Sequence, residues 1–209
     1  MTDLSSIKFE FRHGVSEVGR ADWNRVVGEA SPFLEYGFLA TLEHTGCVGQ
    51  NSGWTPHILV AFDTSSDQKR LVGALPLYLK TNSAGEFVFD WSWADAAQRA
   101  GLQYYPKAVV AVPFTPITGR RLLVDASFDR PNALRKALIE RTIEFVEAEK
   151  LSSLHFNFVV PEERTLFEEL DIPVRLGKQY HWHNGPDLGE GPDYDDFSDY
   201  LARFRSKKR

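Results

Sequence analysis

The chain has 209 residues, 43% hydrophobic and 13% aromatic, with a formal net charge of -5. That length and apolar content support one large or two small domains with a real core, and exclude a disordered chain. The acidic balance leaves no general nucleic-acid footprint, and a single cysteine, Cys47, excludes a disulfide framework or a cysteine zinc site and fits a reducing cytoplasm.

The opening residues Met1-Thr-Asp-Leu-Ser-Ser6 lack the basic and apolar regions of a secretory leader. No window approaches the roughly 18 uninterrupted apolar residues of a membrane helix. The expectation is a soluble, cytoplasmic protein with no DNA partner.

Residues 7–13 (IKFEFRH) alternate Ile7, Phe9 and Phe11 against Lys8, Glu10 and Arg12, which predicts a first strand. Ser16 is placed to cap a helix through about Ala30, with Val18, Trp23, Val26 and Val27 as its apolar stripe, until Ser31-Pro32 breaks it. A second helix is predicted from about Glu35 to Thr45, with Gly46 as its stop. The loop 46–53 (GCVGQNSG) lacks the lysine-serine ending of a phosphate-cradling loop and receives no nucleotide role. Residues 54–62 (WTPHILVAF) and 70–80 (RLVGALPLYLK) read as adjacent antiparallel strands joined by the polar connector 63–69.

The stretch 71–123 organises the rest. In Glu86-Phe-Val-Phe-Asp-Trp-Ser-Trp93 the aromatics fall on one side and Val88, Asp90 and Ser92 on the other, which predicts a central strand with an aromatic core face. A carboxylate there must be solvated or paired. A short helix over 94–101, a strand over 108–112 and a brief one over 121–124 follow. Residues 131–150 are the clearest helix, with Pro131 in the first turn and Leu134, Leu138, Ile139, Ile143 and Val146 at helical spacing. Residues 154–160 predict a buried strand, 161–170 a short helix and 174–184 a returning strand. Residues 185–192 read as a linker. In 193–209, acid precedes base, and Phe197, Tyr200, Leu201 and Phe204 form an apolar stripe.

Asp90, set among Trp and Phe, is the candidate catalytic residue: a carboxylate there can have a raised pKa and act as a general base for an amine. Solvent exposure or a nearby cation is the plain alternative. Lys107, Arg120 and Arg121 are candidates to clamp an anionic group, against ordinary surface charge. Trp91, Trp93, Tyr104, Tyr105, Thr115 and Thr118 are candidate substrate contacts, on rigid proline- and glycine-rich turns, with core packing as the alternative for the tyrosines. His181 and His183 lie on one face of the expected last strand, but no third ligand is fixed, so no metal is expected. His44 near Cys47 lacks an orienting third group and is read as coincidence.

Five ordered stretches, Ser31-Pro-Phe-Leu34, Leu75-Pro-Leu-Tyr-Leu-Lys80, Gly85-Glu-Phe-Val-Phe-Asp-Trp91, Tyr104-Tyr-Pro-Lys107 and Val112-Pro-Phe-Thr-Pro-Ile-Thr-Gly119, resemble a family of bacterial N-acyltransferases related to the Fem-type peptidoglycan aminoacyltransferases. The resemblance implies the GNAT fold, in two tandem copies. The expected fold class is thus α/β, a GNAT-like mixed, mainly antiparallel central sheet with helices on both faces. Residues 1–190 would form the N-terminal domain. Residues 191–209 would be a linker and the first basic amphipathic helix of a following domain, with the stripe 197–204 as its contact or as a homodimer surface. The usual acyl-CoA loop has only a weak counterpart, Gln98-Arg-Ala-Gly101-Leu-Gln103, without the last small residue. No firmly bound cofactor is expected, and acyl-CoA or aminoacyl-tRNA are the candidate donors. The implied function is transfer of an acyl or aminoacyl group to an amine, on a cell-wall precursor. A non-catalytic recognition or structural half-domain is the alternative.

Overall fold

A computed structural model describes residues 4–29, 31–180, 182, 184 and 193–204. Within the first compact unit, Met1–Pro173, the order is β1 (Ile7–Arg12), α1 (Arg20–Val27), α2 (Tyr36–His44), β2 (Trp54–Pro56), β3 (Ile58–Asp63), β4 (Arg70–Leu75), β5 (Leu77–Lys80), α3 (Trp91–Arg99), β6 (Lys107–Val110), β7 (Leu123–Val124), α4 (Pro131–Ala148), β8 (Leu154–Phe156) and α5 (Pro161–Glu169). Of the order expected from the sequence, the first strand, the two helices, the antiparallel run β2 to β5 and the later helix, strand and helix are present, whereas the strand expected over 86–93 and the closing strand, over its described residues 174–180, are not.

Proline decides where the sheet divides. Each of the two long apolar runs is split by its proline, Pro56 and Pro76, which cannot donate to a ladder. One four-stranded sheet has the order β1-β3-β4-β7, the other β2-β5-β6-β8. All pairings are antiparallel except β6 with β8, where Val109 stands opposite His155. The His57 amide donates to the Leu77 carbonyl at 2.8 Å and carries the pairing across the junction.

Strands β3 to β6 are buried on both faces, so their apolar runs are nearly continuous. Ile58 and Val60 face a core with Trp23, Val26, Leu34 and Leu39 of the α1–α2 region. Leu59, Ala61 and Val72 face the other, with Leu134, Leu138 and Ile139 of α4 and Phe167 of α5. Trp23 is fully buried, and its indole N–H donates to the Leu34 carbonyl at 2.7 Å. Pro131 opens α4 as expected. Ser16 caps no helix. It lies in a 3-10 turn, Val15–Glu17, where the Glu43 carboxylate accepts from the Val15 amide and the Ser16 hydroxyl, and α1 starts only after Gly19 at φ +94°.

Two further sequence expectations fail. Residues 86–90 form no strand, and Trp91 and Trp93 belong to α3. The period-two alternation is real, but the buried set is Glu86 and Asp90, while Phe87, Phe89, Trp91 and Trp93 are exposed. The returning strand over 174–184 is also absent over 174–180; His181 and His183 lie outside the described residues. In the second compact unit, Val174–Arg209, α6 (Phe197–Ala202) is capped by Asp196, whose carboxylate accepts from the Asp199 amide at 2.8 Å. Tyr200 contacts Tyr194, Phe197 and Phe204 there, and Phe197 remains exposed.

Asp125 ties α1 to the end of β7. It accepts from Arg25, from Arg70 at 2.9 Å and from Ser127, and its residue is 4% exposed. Burial pushes this carboxyl up, but those donors outweigh it and hold it at about 2. Its contribution to stability is present above the ordinary carboxylate pKa and lost as pH falls towards about 2. Asp125→Asn should therefore cost roughly 2 kcal/mol at pH 7 in urea unfolding, with the deficit closing in strong acid. A deficit independent of pH would show that packing, not charge, is what Asp125 supplies.

Candidate active site

The site is built on two lysines that end or open apolar strands. Lys80 closes β5 and Lys107 opens β6, opposite one another in the ladder, and both are fully buried. An ammonium without water needs internal partners. Lys107 Nζ donates to Asp90 Oδ2 at 2.5 Å and to Ser83 Oγ at 3.3 Å, and lies 3.0 Å from Glu86 Oε2, off the hydrogen-bonding angle. Lys80 Nζ donates to the Ala84 carbonyl at 3.1 Å and sits 3.8 Å from the centre of the Trp54 ring. Trp54 is also fully buried and donates to the same carbonyl at 2.9 Å.

Turning both carboxylates inward strains the chain between β5 and α3. Phe87 and Phe89 take left-handed φ values of +59° and +52°. Such a backbone costs a bulky residue roughly 1–2 kcal/mol. Gly85, at φ +77°, precedes them; a Cβ there would lie 2.5 Å from Phe114, whose ring packs on Trp54. Phe114 is itself left-handed at φ +58°.

The carboxylates differ electrostatically. Burial pushes Asp90 up, but the hydrogen bonds from Lys107 and Tyr104, with Ser83 close by, prevail and hold it at about 2, opposite to the raised value expected from its aromatic neighbours. Glu86 is pushed above its ordinary value by burial, which exceeds its attraction to Lys107. Burial draws Lys80 down to about 8. Neither oxygen of Glu86 nor Asp90 Oδ1 finds a hydrogen-bond partner among the described residues.

An open groove lies beside this cluster, lined by Trp91, Ala94, Gln98, Leu102, Tyr104 and Tyr105. Both tyrosines connect it inward. The Tyr104 hydroxyl donates to Asp90 Oδ2 at 2.7 Å, and the Tyr105 hydroxyl shares a 2.6 Å hydrogen bond with Ser83. Exposed Phe89, Trp93 and Leu102 add apolar surface on the same segment.

The structure thus gathers Asp90, Trp91, Tyr104, Tyr105 and Lys107 from the residues expected in the sequence. Trp93 is exposed on α3 and does not line the groove. Thr115 and Thr118 lie on the loop after β6, where Thr115 donates to the Pro113 carbonyl. The three expected cations are not assembled into one clamp. Arg120 is exposed, near Arg135. Arg121 is fully buried and donates to the carbonyls of Asn157, Arg120 and Ile117, while its own amide donates to Glu163. Burial draws its guanidinium down to about 10. Ser83, Glu86, Lys80 and Trp54 are the members that the sequence reading did not single out. The signal available was a lysine at the end of an uninterrupted apolar strand.

The order of elements and the strand pairing define a mixed α/β domain with two mainly antiparallel sheets, and the buried ion cluster lies in it beside an aromatic groove. The chain belongs to the FemAB-like family, described as peptidoglycan biosynthesis/recognition, which matches residues 14–209. Among solved structures, it is similar to a ribosomal-protein-alanine N-acetyltransferase from Brucella melitensis biovar Abortus 2308, at 17% identity and a TM-score of 0.42, over 85% of this chain and 98% of that one. No curated protein matches it. Among the described residues, no helix is long and apolar enough to cross a membrane, and no group of three or more His, Cys, Asp or Glu side chains is placed to hold a metal ion.

Removing the Lys107 ammonium leaves two buried carboxylates without their partner. Lys107→Met should cost about 3–5 kcal/mol in urea unfolding at pH 7, and adding Glu86→Gln and Asp90→Asn should recover part of the loss. A single variant as stable as the parent would remove Lys107 as the organising charge.

Proposed function

We propose that this chain transfers an acyl or aminoacyl group to an amine acceptor of the peptidoglycan-precursor class, acting in the cytoplasm. Acyl-CoA or aminoacyl-tRNA is the proposed donor. The observation that carries this reading is the contact from groove to ion cluster, in which Tyr104 lines the groove and its hydroxyl donates to the buried Asp90. Membership of a family described by peptidoglycan biosynthesis supports the substrate class.

In this mechanism the acceptor lies along the aromatic groove with its amine at the tyrosine hydroxyls. The amine attacks the donor's thioester or ester carbonyl, and proximity supplies much of the rate. A carboxylate held at about 2 is a weak proton acceptor at neutral pH but a dependable negative charge. Asp90 therefore fixes the Tyr104 hydroxyl and compensates positive charge that develops on the attacking nitrogen. Trp91 and Tyr105 hold the apolar body of the acceptor. Thr115, Thr118 and Arg120, on the neighbouring loop, are assigned to the donor or to the anionic end of the acceptor.

A second reading, recognition without transfer, is favoured by the complete burial of Lys107 and Arg121 among internal partners, which keeps both cations from an incoming anion. Incubating the chain with a muramyl-pentapeptide precursor and either acetyl-CoA or aminoacyl-tRNA, with products followed by mass spectrometry, separates the two. Transfer that falls about 100-fold in Tyr104→Phe and is abolished in Asp90→Asn supports the first reading. Saturable binding with no product supports the second, and unchanged turnover in Asp90→Asn removes Asp90 from the mechanism.

A further inference from the structure

Tyr105 opens a second route inward, which reaches Lys107 through Ser83 rather than through Asp90. Tyr105 lines the groove, and its hydroxyl is 2.6 Å from Ser83 Oγ. Ser83 Oγ accepts from Lys107 Nζ at 3.3 Å, and Lys107 Nζ lies 3.0 Å from Glu86 Oε2. Tyr105, Ser83 and Lys107 thus form a run of exchangeable protons from the groove that ends 3.0 Å from a carboxylate that is 3% exposed. Glu86 has no hydrogen-bonded donor among the described residues, whereas Asp90 Oδ2 has two, from Lys107 and Tyr104.

We propose that the proton released by the acceptor amine travels along Tyr105, Ser83 and Lys107 to Glu86, making Glu86 the terminal proton acceptor of the transfer. The inference rests on the transferase reading above. The amine nitrogen forms a bond to the donor carbonyl carbon, and the carbon–sulfur or carbon–oxygen bond to the leaving group breaks, releasing it as an anion. The surplus proton on nitrogen passes to Tyr105 Oη as the tyrosine's own proton moves to Ser83. Lys107 Nζ first gives a proton to Glu86 Oε2, and the neutral amine so formed turns its lone pair to Ser83 and takes the Ser83 proton. Lysine, serine and tyrosine end as they began, Glu86 ends neutral, and solvent later restores its charge.

The two carboxylates then have separate tasks. Asp90 stays ionised and keeps Lys107 and Tyr104 in place, while Glu86, pushed upward by burial, is suited to hold a proton for a time. Lys107 joins them, 2.5 Å from one and 3.0 Å from the other. Tyr105 and Ser83 are relay groups, so their loss should affect turnover more than acceptor affinity.

The test uses the full chain with the same precursor and donors, comparing the parent with Ser83→Ala and Tyr105→Phe, which keep both carboxylates and Lys107. The expected result is a fall in kcat of about 10-fold or more with KM within about two-fold, together with a changed solvent deuterium isotope effect. Glu86→Gln, if it folds, should lose the acid limb of the kcat–pH profile, while Glu86→Asp should restore part of the rate. Parent-level kcat and isotope effect in both relay variants would overturn the path while leaving the transferase reading intact. No product from the parent protein with any donor would overturn the transferase reading and the path with it.

Discussion

A lysine ammonium without solvent contact, at the start of a central strand, is the constraint on which this structure depends. Lys107 is held in place by the ladders of β5 and β8 on its two sides, and its position cannot shift without breaking the second sheet. An isolated charge there would be prohibitively costly, so the segment between β5 and α3 must deliver carboxylates to it. Glu86 and Asp90 do so four residues apart in an irregular stretch. The backbone that turns them inward turns Phe87 and Phe89 outward, in left-handed conformations that a plain loop would avoid. The groove's position follows, because α3 begins directly after Asp90 and carries Trp91 to the surface beside Tyr104 and Tyr105.

The same arrangement separates two acids of nearly equal intrinsic strength. Asp90 accepts hydrogen bonds from Lys107 and Tyr104 and is held low; Glu86 faces Lys107 off-angle and is dominated by desolvation. Titratable neighbours whose environments push them apart are the pattern by which one site can carry both a permanent charge and a proton-accepting group. A single carboxylate beside Lys107 could not do both, because the hydrogen bonds that secure its charge also weaken it as a base.

Where one physical cause sets a pattern, the sequence is legible. The strands over 7–12, 54–63 and 70–80 follow from apolar runs and alternation, and α4 follows from helical spacing behind Pro131. The segment 86–93 defeated the same rule because alternation reports two environments without saying which is buried. Ordinarily the aromatic set is inside; here the buried lysines reverse the choice. Asp90, Tyr104, Tyr105 and Lys107 stood out as chemistry-bearing residues in an aromatic, proline-rich stretch. Ser83, Glu86 and Lys80 did not, since a lysine at a strand end is usually solvated. Only the pairing of β5 with β6 shows that Lys80 and Lys107 face one another inside. Arg121 was legible as an unusual cation but not as a buried one, because its partners are backbone carbonyls that carry no sequence signature.

Arg121 also explains how the loop after β6 can serve a site without being part of its ion cluster. Its guanidinium bonds the Ile117, Arg120 and Asn157 carbonyls, Glu163 of α5 accepts from the Arg121 and Leu122 amides, and Gly119 pairs with the strand end through the Phe158 carbonyl. The loop is therefore fastened to β8 and α5 at one end. At the other, Phe114 packs on Trp54, which lies against Lys80. A loop held at both ends presents Thr115, Thr118 and Arg120 at fixed positions, with little ordering cost on binding. Such rigidity suits a transfer reaction, which gains most of its rate from placing two reactants at fixed separation. It also assigns different work to the two buried cations: Arg121 fixes the loop, and Lys107 fixes the acids.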